Sequence, residues 1–171
     1  MGKIHNVEMT DNRFVNLYHV DAISVHNTPV SYYVASRAKD VPALKLKTGR
    51  NDPDGVIIYS IYGEKKDKVV LVRQYRYTLG DYIYEFPAGL VEPGEDFHEG
   101  AVREMYEETG LKLEPLKVDP AFEKPYFTTV GMTDESCATV YGYASGEISK
   151  AAQEDSEEIE IVLADRTEVK R

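Results

Sequence analysis

The sequence has little of several residue types, and each shortage excludes a class of protein. It contains one cysteine in 171 residues, so no disulfide can form within the chain and a reducing compartment is expected. It contains no tryptophan, so any stacking on a nucleobase must come from tyrosine, phenylalanine or histidine. No apolar run approaches the roughly 20 residues that span a bilayer. We therefore expect a cytoplasmic protein without a membrane partner.

Positive charge is also scarce. Lys and Arg number 20 against 30 Asp and Glu, which gives a formal net charge of −10. A nucleic-acid-binding protein needs a basic surface that displaces counterions from phosphates, and this balance argues against such a partner. An anionic substrate would be repelled unless cations reverse the field locally. An acidic protein that acts on phosphates would therefore require a divalent metal ion.

The rest of the composition is that of a globular protein, since a hydrophobic fraction of 42% is enough for a core. The length predicts one domain, or one domain with a small N-terminal extension. Patterns rich in β-branched and aromatic residues predict strands at 14–20, 31–35, 55–62, 68–76, 82–86, 138–143 and 159–163. The run at 55–62 is nearly all apolar, which predicts burial on both faces, and the turn at 63–67 predicts a hairpin with 68–76.

One helix carries clear signals at both ends. Asp96 is a typical N-cap, Glu99 follows three residues later as in a capping box, and Gly110 is placed just after the last turn. Within this helix Glu104 and Glu108 are four residues apart, so their side chains lie on one face. The adjacent apolar stripe is predicted to contain Phe97, Ala101 and Met105, continued by Val102 and Tyr106.

The glutamates of this helix allow two interpretations. Like charges at this spacing destabilise a helix by a few tenths of a kcal/mol, so Glu104, Glu107 and Glu108 beside an apolar stripe suggest a cation between them. Gly100 would leave room there for a metal ion or a phosphate, and Mg²⁺ prefers oxygen ligands. The alternative is an exposed acidic helix, which is what most charge clusters are. The cluster alone does not decide between them.

The flanking residues add a specific pattern. The chain has Gly89, Glu95, Arg103-Glu104, Glu107-Glu108 and Gly110 at the spacing Gly-x5-Glu-x7-Arg-Glu-apolar-x-Glu-Glu-x-Gly-apolar. This resembles the 23-residue Nudix box with all seven fixed residues present. Seven preset matches would arise by chance on the order of once in 10⁸ positions. Met105 is the one departure, because an aliphatic branched residue is more usual there.

The resemblance implies an α+β fold, in which a mixed β-sheet is sandwiched between helices. It implies a Nudix hydrolase domain over residues 51–171, preceded by an N-terminal antiparallel β extension over residues 1–50. The family's closing helix is not found before Arg171, so a shortened chain is expected. Related proteins are commonly homodimers that exchange N-terminal strands. Residues 13–38 are the candidates here, with Tyr32 or Tyr33 either stacking on a base or packing in the core.

The resemblance also implies hydrolysis of a nucleoside diphosphate linked to another group, with Mg²⁺ or Mn²⁺ as cofactor. Its metal ligands would be Glu104 and Glu108, Glu107 directly or through water, and the carbonyl of Ala88. Arg103 would pair with Glu95 and hold the glutamates in place. The acidic stretch 154–158 resembles a segment that supplies the catalytic base in some members, which favours Glu157 or Glu158 for that role. The alternative for this stretch is a solvated loop.

Two further segments resemble the ADP-ribose pyrophosphatase group of the family, namely 72–76 and 85–89. The arginine corresponding to Arg76 reaches the substrate diphosphate in that group, and Glu85 is a second substrate-binding candidate. The alternatives are a surface arginine and a residue at a strand end. The loop 130–136 resembles the group's Pro-Gly-x-Ser/Thr-x-Glu loop, in which Glu135 would face substrate or metal. Val130 replaces the proline, so the preferred sugar stays open.

These features together predict Mg²⁺-dependent hydrolysis of a nucleoside-diphosphate sugar, with ADP-ribose cleaved to AMP and ribose 5-phosphate as the first choice. The alternative substrates are UDP-glucose, GDP-mannose, a dinucleotide or an oxidised nucleotide. The alternative class is a non-catalytic module that binds a nucleotide sugar. Such modules tend to lose the glutamates of the box, and their presence here favours the enzyme.

Overall fold

The computed structural model describes residues 3–9, 14–153 and 158–170. The chain divides into two compact units. The first contains residues 1–54 and 125–137, and the second contains residues 55–124 and 138–171. Within the described residues, no helix has both the length and the apolar character needed to cross a membrane.

The first unit is built on an antiparallel three-stranded sheet in the order β1-β2-β3. Its strands are β1 (Lys3–Met9), β2 (Asn16–Ile23) and β3 (Pro29–Ser36). The side chain of Tyr18 in β2 is fully buried, and its hydroxyl donates to the carbonyl of Ala38 at 2.6 Å. This sheet agrees with the predicted N-terminal antiparallel extension, although β2 begins two residues later than the pattern at 14–20 indicates.

The same unit contains a short helix and a short strand pair. The helix α1 covers Lys45–Thr48, and the strand β9, Tyr126–Phe127, pairs with the first residues of β10, Ser136–Ser145. The ammonium group of Lys45 donates to Asp54 at 2.6 Å and to the hydroxyl of Ser136 at 2.5 Å. Asp54 and Ser136 both belong to the first unit, so these bonds tie α1 to both of the chain segments that form it.

The second unit contains a sheet with the strand order β11-β5-β4-β10-β8, to which β6 and β7 are added on β5 and β4. Its remaining elements are β4 (Gly55–Tyr62), β5 (Lys68–Arg76), β6 (Asp81–Glu85), β7 (Ala88–Leu90), α2 (Phe97–Thr109), β8 (Lys112–Pro115) and β11 (Ile159–Asp165). The strands β4 and β5 form the predicted hairpin, with Tyr62 opposite Lys68. The sheet is mixed, as predicted.

The helix α2 begins and ends at the residues that the sequence indicates. The carboxylate of Asp96 accepts from the backbone N–H of His98 at 2.9 Å, which satisfies one of the free donors of the first turn. Gly110 adopts the left-handed conformation with φ 75°, and its N–H donates to the carbonyl of Tyr106. Both predicted caps are therefore confirmed.

One face of α2 packs on the sheet and forms the core of this unit. The buried apolar residues of the core are Val56, Ile58, Val70, Ala101, Met105, Leu111, Leu113, Val140 and Ala144. Ala101 and Met105 confirm part of the predicted stripe. Val102 and Tyr106 do not continue it, because they are 39% and 55% exposed. The strand β4 is likewise not buried on both faces, since Tyr59 is 38% exposed.

Candidate active site

Gly89 of β7, which has no side chain, lies directly against the Glu104 side chain of α2. A Cβ atom at this position would lie 1.9 Å from the carboxyl carbon of Glu104 and 2.2 Å from its oxygens. The Glu104 carboxylate therefore fills the space that any other residue at position 89 would need. Its side chain is 14% exposed, so the carboxylate lies at the edge of the buried face, where the sequence places it.

Arg103 connects the carboxylates of this region. Its guanidinium donates to Glu95 through Nε at 3.0 Å and through Nη2 at 2.9 Å. Its Nη1 donates to Glu104 at 2.7 Å and to Glu107 at 2.9 Å. Its Nη2 also donates to the backbone carbonyl of Leu90 at 2.9 Å. The predicted pairing of Arg103 with Glu95 is present in the structure, and the same side chain restrains two further glutamates.

Glu95 also fills the space beside Gly100. The carboxylate would lie 3.1 Å from a Cβ atom at position 100, so the expectation that Gly100 leaves room for a metal ion or phosphate is wrong. The hydrogen bonds from Arg103, followed by one from the N–H of Glu92, hold the pKa of Glu95 below its ordinary value. The pKa of Arg103 is raised, chiefly by its hydrogen bonds to Glu95. Both groups therefore stay charged at neutral pH.

Glu108 lies deeper than the other glutamates, and the residue is 3% exposed. Its Oε2 accepts from the backbone N–H of Ala88 at 3.2 Å. Its own backbone carbonyl, at the last turn of α2, accepts from the side-chain amide of Gln153 at 2.6 Å. The structure therefore brings Glu108 and Ala88 together, two residues that the sequence predicts as metal ligands.

These residues fit a divalent cation by their charge and by their donor atoms. One guanidinium faces three carboxylates, those of Glu95, Glu104 and Glu107, so the cluster keeps a net negative charge. A cavity of about 450 Å³ beside it is lined by Gly89, Glu104 and Glu107, among others. Carboxylate and carbonyl oxygens with space for water suit Mg²⁺. Among the described residues no three acidic, His or Cys side chains already converge as ligands, and Arg103 instead holds two of the glutamates.

Two other predicted residues form a pair on the hairpin of β5 and β6. The Nε of Arg76 donates to Oε2 of Glu85 at 2.7 Å, with the arginine side chain 42% exposed and the glutamate 28% exposed. Arg76 is therefore held by a carboxylate at the end of its strand, with part of its guanidinium open to solvent. The arrangement leaves it able to bind a phosphate oxygen.

The remaining candidates lie in separate surroundings. Glu135, in the first unit, accepts from Nε and Nη2 of Arg37, each at 3.0 Å. Glu158, in the second unit, accepts from the hydroxyl of Tyr82. Glu157 lies outside the described residues. The sequence indicates neither Arg37 nor Tyr82, because 98 and 76 residues separate them from their partners and no local spacing connects such pairs.

The chain is similar to proteins of known name over parts of its length. The profile of the NUDIX domain matches residues 52–170. A nudix hydrolase of Caenorhabditis elegans is 32% identical over 120 residues, 67% of this chain and 52% of that protein. The ADP-sugar pyrophosphatase of Mus musculus is 49% identical over 53 residues, 31% of this chain and 24% of that protein. The ADP-ribose pyrophosphatase of Saccharomyces cerevisiae is 33% identical over 94 residues, 53% of this chain and 41% of that protein.

This chain thus spans between about a quarter and about half of the length of these relatives. A crystal structure of an ADP compounds hydrolase superposes with a TM-score of 0.70 at 20% identity, covering 97% of this chain and 79% of that chain. At this identity the likeness concerns the fold, and it confirms the predicted α+β Nudix fold. Because the NUDIX domain matches more than half of its residues, the chain belongs to the Nudix family, and it is similar to the family's ADP-ribose pyrophosphatases.

Proposed function

We propose that this protein is a Mg²⁺-dependent hydrolase of nucleoside-diphosphate sugars, with ADP-ribose as the first substrate to test. The observation that carries the proposal is the assembled glutamate cluster, in which Arg103 joins Glu95, Glu104 and Glu107 while Gly89 admits the Glu104 carboxylate. The names of two relatives, an ADP-sugar pyrophosphatase and an ADP-ribose pyrophosphatase, support the substrate class.

The residues present can be assigned roles from their positions. Glu104, Glu107, Glu108 and the carbonyl of Ala88 would hold the metal ion. When bound, Mg²⁺ would neutralise the charge of the diphosphate and lower the pKa of a water molecule bound to it. Arg103 keeps the glutamates oriented through its hydrogen bonds, as partners of metal ligands commonly do.

The reaction itself adds water across one phosphoanhydride bond. Arg76 donates to a phosphate oxygen in exchange for part of its pairing with Glu85, which orients the diphosphate. Glu158 or Glu157 accepts the proton of the attacking water. The bond from the water oxygen to phosphorus forms as the bond from that phosphorus to the bridging oxygen breaks. With ADP-ribose the products are AMP and ribose 5-phosphate.

The proposal is tested by phosphate release through a coupled phosphatase, with ADP-ribose, UDP-glucose and GDP-mannose as substrates. Each reaction is run with Mg²⁺, with Mn²⁺ and with a chelator. Turnover of ADP-ribose above the others that the chelator abolishes is the expected result. Turnover of another sugar nucleotide keeps the chemistry and changes the substrate.

A binding module is the outcome that contradicts catalysis. It would show no turnover of any substrate, while calorimetry detects binding of Mg²⁺ and of a nucleotide sugar to the folded protein.

We place the enzyme in the cytoplasm, since the chain with its one cysteine does not depend on an oxidising compartment. Fractionation of cells that express the tagged protein checks this placement.

A further inference from the structure

A polar network on β5, β6 and β11 lies outside the Nudix box. The Nη1 of Arg73 donates to Oε2 of Glu160 at 3.0 Å. The guanidinium carbon of Arg73 lies 4.0 Å from the centroid of the Tyr82 ring, which is the geometry of a cation–π contact. The hydroxyl of Tyr82 then donates to Oε1 of Glu158. Three side chains from adjoining strands and that of Glu158, the residue before β11, are thus linked in one chain of contacts.

The backbone fixes the end of this network that contains Tyr82 and Glu158. The N–H of Tyr75 donates to the carbonyl of Glu158 at 3.3 Å, and the pairing of Ile159 with Gln74 begins immediately afterwards. Tyr82 is itself paired with Tyr75 in the neighbouring ladder. The main chain of Glu158 is therefore held by the sheet, and the freedom that remains is that of its exposed side chain. The hydroxyl of Tyr82 restrains that freedom.

In the contact between Tyr82 and Glu158, the tyrosine hydroxyl is the donor and the carboxylate is the acceptor. A hydroxyl that donates to a carboxylate forms a charge-assisted bond, which is stronger than a bond between neutral groups. The hydrogen bond to Glu158, with burial second, raises the pKa of Tyr82 above its ordinary value. The phenol therefore keeps its proton throughout the neutral range and remains a donor. The ring is held in turn by Arg73, which Glu160 restrains.

We propose that Tyr82 is a positioning residue, which acts by restraining the carboxylate of Glu158, the residue to which the proposed function assigns the role of general base. The inference rests on the proposed function, since it assigns the base to Glu158. A carboxylate on an exposed side chain samples many rotamers, and a base is effective only within hydrogen-bonding reach of the water it deprotonates. Holding one rotamer raises the rate without adding a contact to the substrate.

A double-mutant cycle tests this role with a matched control. The variants are Tyr82→Phe, Glu158→Gln, the double variant, and Tyr84→Phe, which removes a hydroxyl from an exposed tyrosine of the same strand. We expect Tyr82→Phe to lower kcat about 10-fold with KM unchanged and Glu158→Gln to lower kcat about 100-fold. The double variant should equal Glu158→Gln within about twofold, and Tyr84→Phe should match the wild type.

Three kinetic results overturn the proposal. The first is an equal loss from Tyr82→Phe in the wild-type and Glu158→Gln backgrounds, because the effect would then not pass through Glu158. The second is a Tyr82→Phe variant with unchanged kcat. The third is a Glu158→Gln variant with unchanged kcat, which removes the base that Tyr82 is said to hold.

A measurement that does not use turnover separates this inference from the proposed function. Tyrosine labelled with ¹³C at Cζ is titrated by NMR, and the Tyr82 signal is assigned by its loss in Tyr82→Phe. The Tyr82 signal should titrate at higher pH in the wild type than in Glu158→Gln, because the hydrogen bond to Glu158 is the largest cause of the raised pKa of Tyr82. If the wild type hydrolyses nothing, the proposed function and the catalytic role fail together, while the titration still decides whether Tyr82 holds Glu158. A Tyr82 signal unaffected by Glu158→Gln overturns the contact itself.

Discussion

At the scale of single residues, the site depends on carboxylates placed where water is largely excluded. Glu108 is 3% exposed, and its Oε2 accepts from the N–H of Ala88. A buried carboxylate is costly in free energy unless its surroundings compensate the charge. The metal ion proposed to bind Glu108 and its neighbours would supply part of that compensation.

Glu108→Gln is therefore expected to lower kcat by roughly 10³-fold, or about 4 kcal/mol of barrier. The amide has the size of the carboxylate and can still accept from Ala88, so the fold should be retained while the ligand charge is lost. Steady-state kinetics at saturating Mg²⁺, with circular dichroism as the check on folding, provide the measurement. Glu99→Gln, at an exposed position of the same helix, is the control. A loss below about tenfold would remove Glu108 from the ligand set.

Gly89→Ala tests the close approach of β7 and α2. The added methyl group would overlap the Glu104 carboxylate, which would lie 1.9 Å away at its carbon atom and must move. A displacement of about 1 Å in such a site can cost about 10²-fold in rate, so a loss of roughly that size is expected. Gly131→Ala is the matched control, because nothing lies within 4 Å of its added methyl. Full activity of Gly89→Ala would show that the Glu104 position is not required.

At the scale of elements, His98 connects the start of α2 to the segment after β8 through contacts with two carboxylates. His98 approaches Asp96 through Nδ1 at 2.9 Å and Glu123 through Nε2 at 3.0 Å. Burial lowers the pKa of His98, but the hydrogen bonds to Glu123 and Asp96 raise it by more, so the net shift is upward. The protonated ring therefore donates to a carboxylate on each side and ties the two segments together.

The sign of this shift predicts a pH dependence of stability. A folded-state pKa above the unfolded value of about 6.5 means that protonation favours the folded state. The contribution is fully present below about pH 6.5 and is lost as the pH rises through the raised folded value. The difference in unfolding free energy between the wild type and His98→Gln should therefore be larger at about pH 6 than at about pH 9. Urea unfolding measures it, and His26→Gln, at an exposed turn, is the control.

An opposite trend, with the difference larger at the higher pH, would show that His98 is held neutral in the folded protein. A difference that is the same at both pH values would show that the ring packs without a charge-dependent contact. The stacking of His98 on Phe97, with centroids 4.1 Å apart, would then be its main contribution.

The elements also show how far the sequence determines the fold. The helix at 97–109 was predictable residue by residue, because Asp96 and Gly110 mark its ends through local backbone chemistry. The strands β4 and β5 were predictable because each is long and apolar. The strands β7 and β8 were not, since three and four residues are too few to show a period.

The residues of the candidate site also divide into those that the sequence predicts and those that it does not. The box residues follow from their spacing, and Arg103 lies between Glu95 and the glutamates as the pattern indicates. The exposure of Val102 and Tyr106 did not follow from the helical spacing of apolar residues, because the width of the buried face depends on which strands cover the helix. Contacts such as that of Tyr82 with Glu158 depend on strand order, which no local pattern reports.

At the scale of the whole molecule, the charge of −10 repels an anionic substrate. Arg103 is engaged with three glutamates, whereas Arg76 is engaged with one and is more exposed. Arg76 is therefore the better placed of the two to attract phosphate. The proposed Mg²⁺ ion would supply the remaining positive charge, which connects the acidic composition physically to the proposed metal requirement.

The assembly of two chains is the last prediction at this scale. In the N-terminal sheet Leu17 is 42% exposed and Tyr33 is 56% exposed, and the pairing of Leu17 with Ala35 and of His19 with Tyr33 places both side chains on one face. Exposed apolar groups that share a face mark an interaction surface. We expect a homodimer through this sheet, with a light-scattering mass twice the 19.3 kDa of one chain at micromolar concentration.

The combined substitution Leu17→Lys with Tyr33→Lys should shift this dimer toward the monomer, because it places like charges opposite each other across a two-fold interface. Val25→Lys, which charges a more exposed apolar residue in the turn between β2 and β3, should leave the mass unchanged. A wild-type monomer at micromolar concentration rules out a stable dimer. A dimer that survives the double substitution must use another surface.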